Sequence, residues 1–346
     1  MMQISPEIQL FIREHSSDDV RVLALQAKKY PDIDMPTAIT QIAGRKVAAE
    51  KIPSWWEIEK IWYPKHLSLE QCSSEITARY KARLLQGDSL TDLTGGFGID
   101  CSFLATGFKS ATYVERQEEL CEIAAHNFPV LNLNHINIKN EDGVTYLQVM
   151  SPVDSLFLDP ARRNEHGGKT VAISDCEPNV AELEELLLQK ANRVMIKLSP
   201  MLDLSLALKE LKQTQEVHIL SVNNECKELL ILLGQTSPAE ISIHCVNLFT
   251  KGTQKEQHFV FTREQEQCSE CTYTDSLETY LYEPNASLLK AGAFRSIAAA
   301  YPVRKLHPNS HLYTSDTFIE NFPGRIFRIV NQCSFNKKEV KENLAD

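Results

Sequence analysis

The chain has 346 residues, 43% of them hydrophobic and 24% charged, which excludes a disordered or fibrous composition and leaves room for two or three globular domains. Its 36 basic and 46 acidic side chains give a net charge of -10, which argues against a broad nucleic-acid-binding surface. No apolar run approaches a membrane span, the start MMQISPEIQLFIREH lacks a signal pattern, and nine irregularly spaced cysteines make no secreted disulfide framework; a soluble, cytoplasmic protein is expected.

Residues 1–65 carry nine basic and nine acidic side chains and read as helices, with apolar residues at helical spacing through Ile8, Leu10 and Phe11 and again through Val22, Leu23 and Leu25. Pro31, Pro36, Pro53 and Pro64 punctuate them. Trp55, Trp56, Trp62 and Tyr63 could stack on bases, but aromatics this dense in a small helical region predict a core. The stretch QCSSEITARYKARLL (71–85) then opens a helix, with Ser73 and Glu75 as its capping residues.

From residue 90 short apolar runs alternate with amphipathic stretches: 90–93, 111–115, 135–139, 154–159, 193–199, 216–222 and 228–234. This alternation predicts parallel strands with right-handed crossovers, an α/β fold. Only NNECK separates the last two runs, too little for a crossover helix, so they pair as an antiparallel hairpin. A parallel sheet with a reversed last strand is the plan of Rossmann-like methyltransferases. Residues 239–249 and 255–262 predict a second hairpin turning at Lys251-Gly252-Thr253; a helix near 286–301, two short strands and a charged terminal helix follow. Residues 286–346 hold nine basic and five acidic side chains, a local excess that a solvated face explains as well as a phosphate contact does.

The stretch LTDLTGGFGIDCSFLA (90–105) carries the chemistry. A strand runs into Asp92, then Thr94, Gly95, Gly96 and Gly98 turn the chain into a helix near Asp100. Glycines permit the tight turn and a close ligand approach. The D-x-T-G-G-x-G spacing does not meet the dinucleotide fingerprint G-x-G-x-x-G, which makes a nicotinamide enzyme the weakest reading. An acid just before the turn suits a cationic, amino-bearing ligand such as S-adenosyl-L-methionine. Glu115 at the tip of the second run can accept both ribose hydroxyls, and Asp142 after the third can accept from an adenine amino group, although N-E-D-G is also ordinary turn and cap chemistry. Three acids at three successive strand ends are more specific than any one.

The fourth run ends LFLDPARR, and Asp159-Pro160-Ala161-Arg162 resembles the D/N-P-P-x motif of enzymes that methylate nucleic-acid bases, with Ala161 in place of the second proline. Arg162 also matches the D-P-P-R form of the uridine C5 methyltransferases, whose nucleophile is a cysteine; Cys226 is the residue to watch, although a lone turn cysteine is more often inert. The polar stretch 164–179 reads as a lid, and Lys197, Ser199 and Asp203 reach the same rim. Arg162, Lys197 and Arg163 could hold a phosphate or orient a base, or simply be solvated. Cys268-Ser-Glu-Cys271, His307 and His311 lack partners at zinc spacing, so no metal is expected.

Through SSEITARYKA, DLTGGFGID, FLDPARR, SDCEPN, KLSPMLD, SVNNECKEL, YLYEPNASLLKAGAF and HLYTSD with FPGRIFRI, the chain resembles the bacterial class I SAM-dependent methyltransferases of the THUMP-like-domain family. The resemblance implies a helical region over 1–68, a SAM-dependent methyltransferase domain over 69–284 and a ferredoxin-like module over 285–346, with a THUMP-like module expected to begin about where KEVKENLAD stands. It implies RNA, tRNA or rRNA, as substrate. On this reading Asp92, Thr94, Gly95, Gly96, Gly98, Asp100, Glu115, Asp142 and Asp159 bind the cofactor, and Asp159, Pro160, Arg162 and Lys197 serve catalysis. A small-molecule methyltransferase and a non-catalytic adenosine-ligand binder are the alternatives.

Overall fold

The computed structural model describes residues 4–162, 172–334, 336, 339 and 341. The chain divides into two compact units, residues 1–213 with 231–237, and residues 214–230 with 238–346.

In the first unit, short polar caps start most of the N-terminal helices. Ser5 and Pro6 open α1 (Pro6–Glu14), Asp19 accepts from the Arg21 N–H at the head of α2 (Val20–Leu25), and Asp34 accepts from Thr37 to open α3 (Met35–Lys51). The short helices α4 (Pro53–Trp56), α5 (His66–Gln71) and α6 (Glu75–Ala82) follow. The aromatics are mostly core, as their density predicts. Trp55 and Tyr63 are buried, and Trp62 stacks on His126 at 3.7 Å between ring centroids, while Trp56 stays exposed. Trp55 meets the edge of Phe97 at 5.2 Å, which packs the helical region directly against the glycine turn.

The strand–helix alternation then unfolds as expected: β1 (Ser89–Asp92), α7 (Ile99–Ala105), β2 (Ser110–Glu115), α8 (Glu118–Val130), β3 (Ile136–Asn140), α9 (Gly143–Val149) and β4 (Val153–Leu158). A two-residue strand β5 (Ala161–Arg162) pairs antiparallel with β6 (Cys176–Glu177), and α10 (Val180–Lys190), β7 (Ala191–Leu198) and α11 (Leu204–Glu210) complete the unit's regular elements. β1 pairs in parallel with β2 and β4, β2 with β3, and β4 with β7, giving the order β7-β4-β1-β2-β3. All five strands therefore end at one edge, the place where open α/β sheets bind ligands.

The second unit contains β8 (Thr214–Val222) and the start of β9 (Glu225–Gly234), joined by Asn223 and Asn224. Both asparagines have positive φ, 49° and 67°, the backbone of a two-residue hairpin turn. The reversal is thus tighter than the five-residue gap NNECK suggested. β10 (Ser242–Leu248) and β11 (Glu256–Phe261) form the second hairpin, and β10 also pairs in parallel with β8. Sequence periodicity misses α12 (Arg263–Cys268), which a Thr262–Gln265 capping box starts. The expected helix near 286–301 is two pieces, α13 (Ala286–Ala291) and α14 (Ser296–Ala300), broken where Gly292 takes the left-handed conformation. They accompany a four-stranded sheet of β12 (Tyr280–Pro284), β13 (Arg304–Lys305), β14 (Tyr313–Ser315) and β15 (Gly324–Arg328), ordered β13-β14-β12-β15 with every pairing antiparallel. Among the described residues, no helix is long and apolar enough to cross a membrane.

Candidate active site

The parallel strands β1, β2, β3, β4 and β7 each bring a polar group to the common edge. Asp92 closes β1 and accepts from the Thr94 N–H at 2.9 Å, while the Thr94 hydroxyl accepts from the Asp159 N–H at 2.6 Å and ties the ends of β1 and β4 together. Asp92 is only 1% exposed. Burial holds its carboxyl well above the usual range against the Thr94 hydrogen bond, and Asp100, Asp159 and Glu115 add repulsion in the same direction.

Glu115 closes β2 and grips the glycine turn, accepting from the Gly96 N–H at 2.9 Å and from the Gln117 N–H at 2.8 Å. Gly95 is required sterically, because a Cβ there would lie 2.3 Å from the Tyr113 ring, itself fully buried. Gly96 is required by conformation instead: its φ is +53°, and no atom would come closer than 3.8 Å to a Cβ. The two substitutions should therefore separate. Gly95→Ala is expected to cost about 1–3 kcal/mol through overpacking, and Gly96→Ala about 1 kcal/mol through left-handed strain; urea unfolding midpoints of the two variants measure both.

Asp142 lies two residues beyond β3, exposed, and its Oδ1 accepts from the Val144 and Thr145 N–H groups at 3.0 Å. It is the N-cap of α9, so the cap chemistry of N-E-D-G is realised, through Oδ1 alone.

The fourth and fifth ends meet in an ionic cluster that is buried except at Asp159, whose side chain is 37% exposed. Lys197, on β7, ion-pairs with Asp159 just beyond β4 and lies 3.5 Å from Asp100 Oδ2. Asp100 in turn pairs with Lys81 at 2.9 Å and accepts from the Ser73 hydroxyl at 2.7 Å, and Lys81 donates to the same hydroxyl at 2.8 Å. Burial pushes the Asp100 carboxyl up, but Lys81 and Lys197 outweigh it and hold the group below the ordinary carboxylate range. Burial likewise raises Asp159, with Lys197 pulling the other way.

Asp100 and Lys197 are thus held by each other rather than presented to solvent. Ser73 does not cap α6; it serves the cluster, and Glu75 accepts from the Ser54 N–H at 2.8 Å instead. Lys81 escaped the sequence reading. It lies on the stripe Thr77, Lys81, Leu85, all buried at intervals of four, and a charged residue on such a stripe is the signal that could have found it.

Pro160 is buried beside Asp159. The Arg162 side chain, Arg163 and 164–171 of the expected lid lie outside the described residues. Ser199 accepts from the Met201 N–H at 3.3 Å, and Asp203 caps α11 through the Leu206 N–H at 2.9 Å. In the second unit, burial pushes the Cys226 thiol up to about 11, which leaves little thiolate at neutral pH and speaks against a nucleophile. His311 stacks on Phe294 at 3.7 Å, and Cys268 and Cys271 are unbridged thiols.

Residues 280–323 match the family described as a ferredoxin-like domain. The crystal structure of a candidate methyltransferase from Porphyromonas gingivalis W83 is similar over 97% of this chain and 84% of that chain, with a TM-score of 0.85 and 35% identity. A candidate methyltransferase from Streptococcus mutans in complex with S-adenosylhomocysteine matches 46% of this chain and 96% of its own, at a TM-score of 0.34 and 14% identity. An rRNA methylase from Streptococcus thermophilus matches 46% and 93%, at 0.33 and 15%. The last two are too distant to carry an argument about activity. No curated protein matches.

Proposed function

Because the chain belongs to the family of the Porphyromonas gingivalis candidate methyltransferase, we propose that it is a cytoplasmic S-adenosyl-L-methionine-dependent methyltransferase whose acceptor is a base in RNA, tRNA or rRNA. The observation that carries the reading is the row of acids at successive strand ends, Asp92, Glu115 and Asp142, around a turn whose Gly96 N–H is bonded to Glu115. Such a set of acceptors fits a ligand bearing an ammonium, a ribose diol and an adenine amino group.

The cofactor supplies the activated methyl group. In the chain itself, Asp92 would receive the ammonium, Glu115 the ribose hydroxyls, and Asp142 the adenine amine. Thr94, Gly95, Gly96 and Gly98 shape the turn, and Asp100 braces it from behind through Lys81. Asp159 and the Pro160 backbone orient the acceptor amine or ring. Lys197 is a positioning cation that fixes the Asp159 carboxylate, and Arg162 is assigned to catalysis from its place in the D-P-A-R motif alone. Transfer by in-line displacement draws its acceleration mainly from this positioning.

The resemblance to THUMP-like-domain methyltransferases and the basic excess in 286–346 support RNA; the net charge of -10 supports a small-molecule acceptor as the second reading. Labelled methyl transfer to total tRNA and rRNA decides between them. Incorporation into RNA that falls at least about 100-fold in Asp159→Ala is the expected result. Incorporation only into a small-molecule extract favours the second reading, and absence of cofactor binding overturns both.

A further inference from the structure

Three of the chain's ten histidines stand in a row across the second unit. His218 on β8 is the register partner of His244 on β10, and His258 on β11 sits two residues from Val260, the partner of His244. Directly paired residues, and residues two apart on a strand, share a face of the sheet, so all three imidazoles project to one side. The rings of His218 and His244 stack at 4.3 Å, and those of His244 and His258 at 5.3 Å.

The ring nitrogens are oriented as well as close. His218 Nε2 lies 3.2 Å from Glu216 Oε2, and His244 Nε2 lies 3.3 Å from the Ser242 hydroxyl. Glu216 and Ser242 are themselves register partners, so both Nε2 atoms point to the same row of the sheet. One ligand atom from each of Glu216, His218 and His244 lies within 4.8 Å of the others. A tetrahedral zinc centre with bonds of 2.0–2.2 Å needs ligand atoms about 3.3 Å apart, a closure that small side-chain rotations supply. On its other side His244 Nδ1 lies 3.1 Å from His258 Nε2, the outer hydrogen bond that fixes the tautomer of a ligating imidazole.

We propose that Glu216, His218 and His244 bind a divalent transition-metal ion, with His258 as the positioning residue that orients His244. Two imidazoles and a carboxylate are a donor set that zinc accepts, with a fourth position left for solvent. Access is from the Glu216 side, where that side chain is 30% exposed. One ion held by Glu216 and His218 on β8 and by His244 on β10 would clamp two neighbouring strands together.

The test is zinc binding to the full chain after chelator treatment, by calorimetry and metal analysis, with cobalt absorption reporting coordination geometry. The expected result is one zinc per chain with micromolar or tighter affinity, weakened about 100-fold in His244→Ala and about 10-fold in His258→Ala, and unchanged in His307→Ala. Glu216→Gln, which alters a partly exposed side chain, repeats the test if His244→Ala does not fold. Equal binding by the wild type and Glu216→Gln, an affinity weaker than about 100 µM, or a cobalt spectrum of hydrated octahedral ion overturns the proposal.

Discussion

Lys81→Met is expected to lower the unfolding free energy by about 3–5 kcal/mol, the largest stability effect of any single substitution in the cluster. Lys81 is fully buried, and it is the nearest countercharge to Asp100, which is itself buried. Removing it leaves a carboxylate with Ser73 and the more distant Lys197 as its remaining partners. The cost comes from stranding the charge rather than from losing a favourable pair, so Lys81→Met/Asp100→Asn should recover more than 1 kcal/mol of the loss. Denaturant titrations of the two single variants and the double variant close the cycle. A cost under about 1 kcal/mol for Lys81→Met would show that the cluster does not depend on it.

The pH dependence has a definite sign. The Asp100 carboxyl is held below its ordinary value in the folded chain, so its contribution is present above about pH 4 and is lost as pH falls through the lower folded value. Lys81→Met should shrink that acid-limb loss.

Asp92→Asn is expected to weaken S-adenosyl-L-methionine binding about 100-fold while stabilising the protein near neutral pH. The two effects run in opposite directions for one reason. Burial and three neighbouring carboxylates raise the Asp92 carboxyl in the folded state. A raised carboxyl binds its proton more tightly folded than unfolded, so stability is lost as pH rises through the folded value. The amide removes that penalty yet can still accept from the Thr94 N–H, so the turn survives. Binding a cation favours the ionised acid, so wild-type affinity should rise with pH through the raised value with release of a proton, and the Asp92→Asn profile should be flat there. Calorimetry in buffers of different ionisation enthalpy counts the proton, and thermal melts read the stability. Unchanged affinity in Asp92→Asn would remove Asp92 from the cofactor site.

Such opposed effects, if measured, would give what a binding site costs the fold that carries it. An acid retained at 1% exposure among other acids lowers stability, and a ligand with complementary charge would offset that loss. Asp100 illustrates the opposite arrangement: two lysines satisfy it from within the chain.

Local order was legible in the sequence because it depends on near neighbours. Periodicities of two and about four residues marked the strands and helices, the D-x-T-G-G-x-G spacing marked the turn after β1, and the acids followed from where each strand must end. The two-residue reversal at Asn223-Asn224 was legible as a hairpin because too few residues separate β8 from β9 for any crossover. Even the ambiguity at Asp142 was visible, since Asn, Asp and Gly in a turn announce a cap as readily as a ligand contact.

The tertiary structure alone decided which charges meet. Ser73, Lys81, Asp100, Asp159 and Lys197 come from α6 and its lead-in, α7 and the ends of β4 and β7, and no local pattern links them. Likewise the row His218, His244 and His258 exists only because β10 pairs in parallel with β8 and antiparallel with β11 in one register; a shift of one residue would send an imidazole to the opposite face. Short-range periodicity sets which way each side chain points on its own element. Which buried charge finds its countercharge is set by the packing of elements far apart in sequence, under the cost of leaving either one alone.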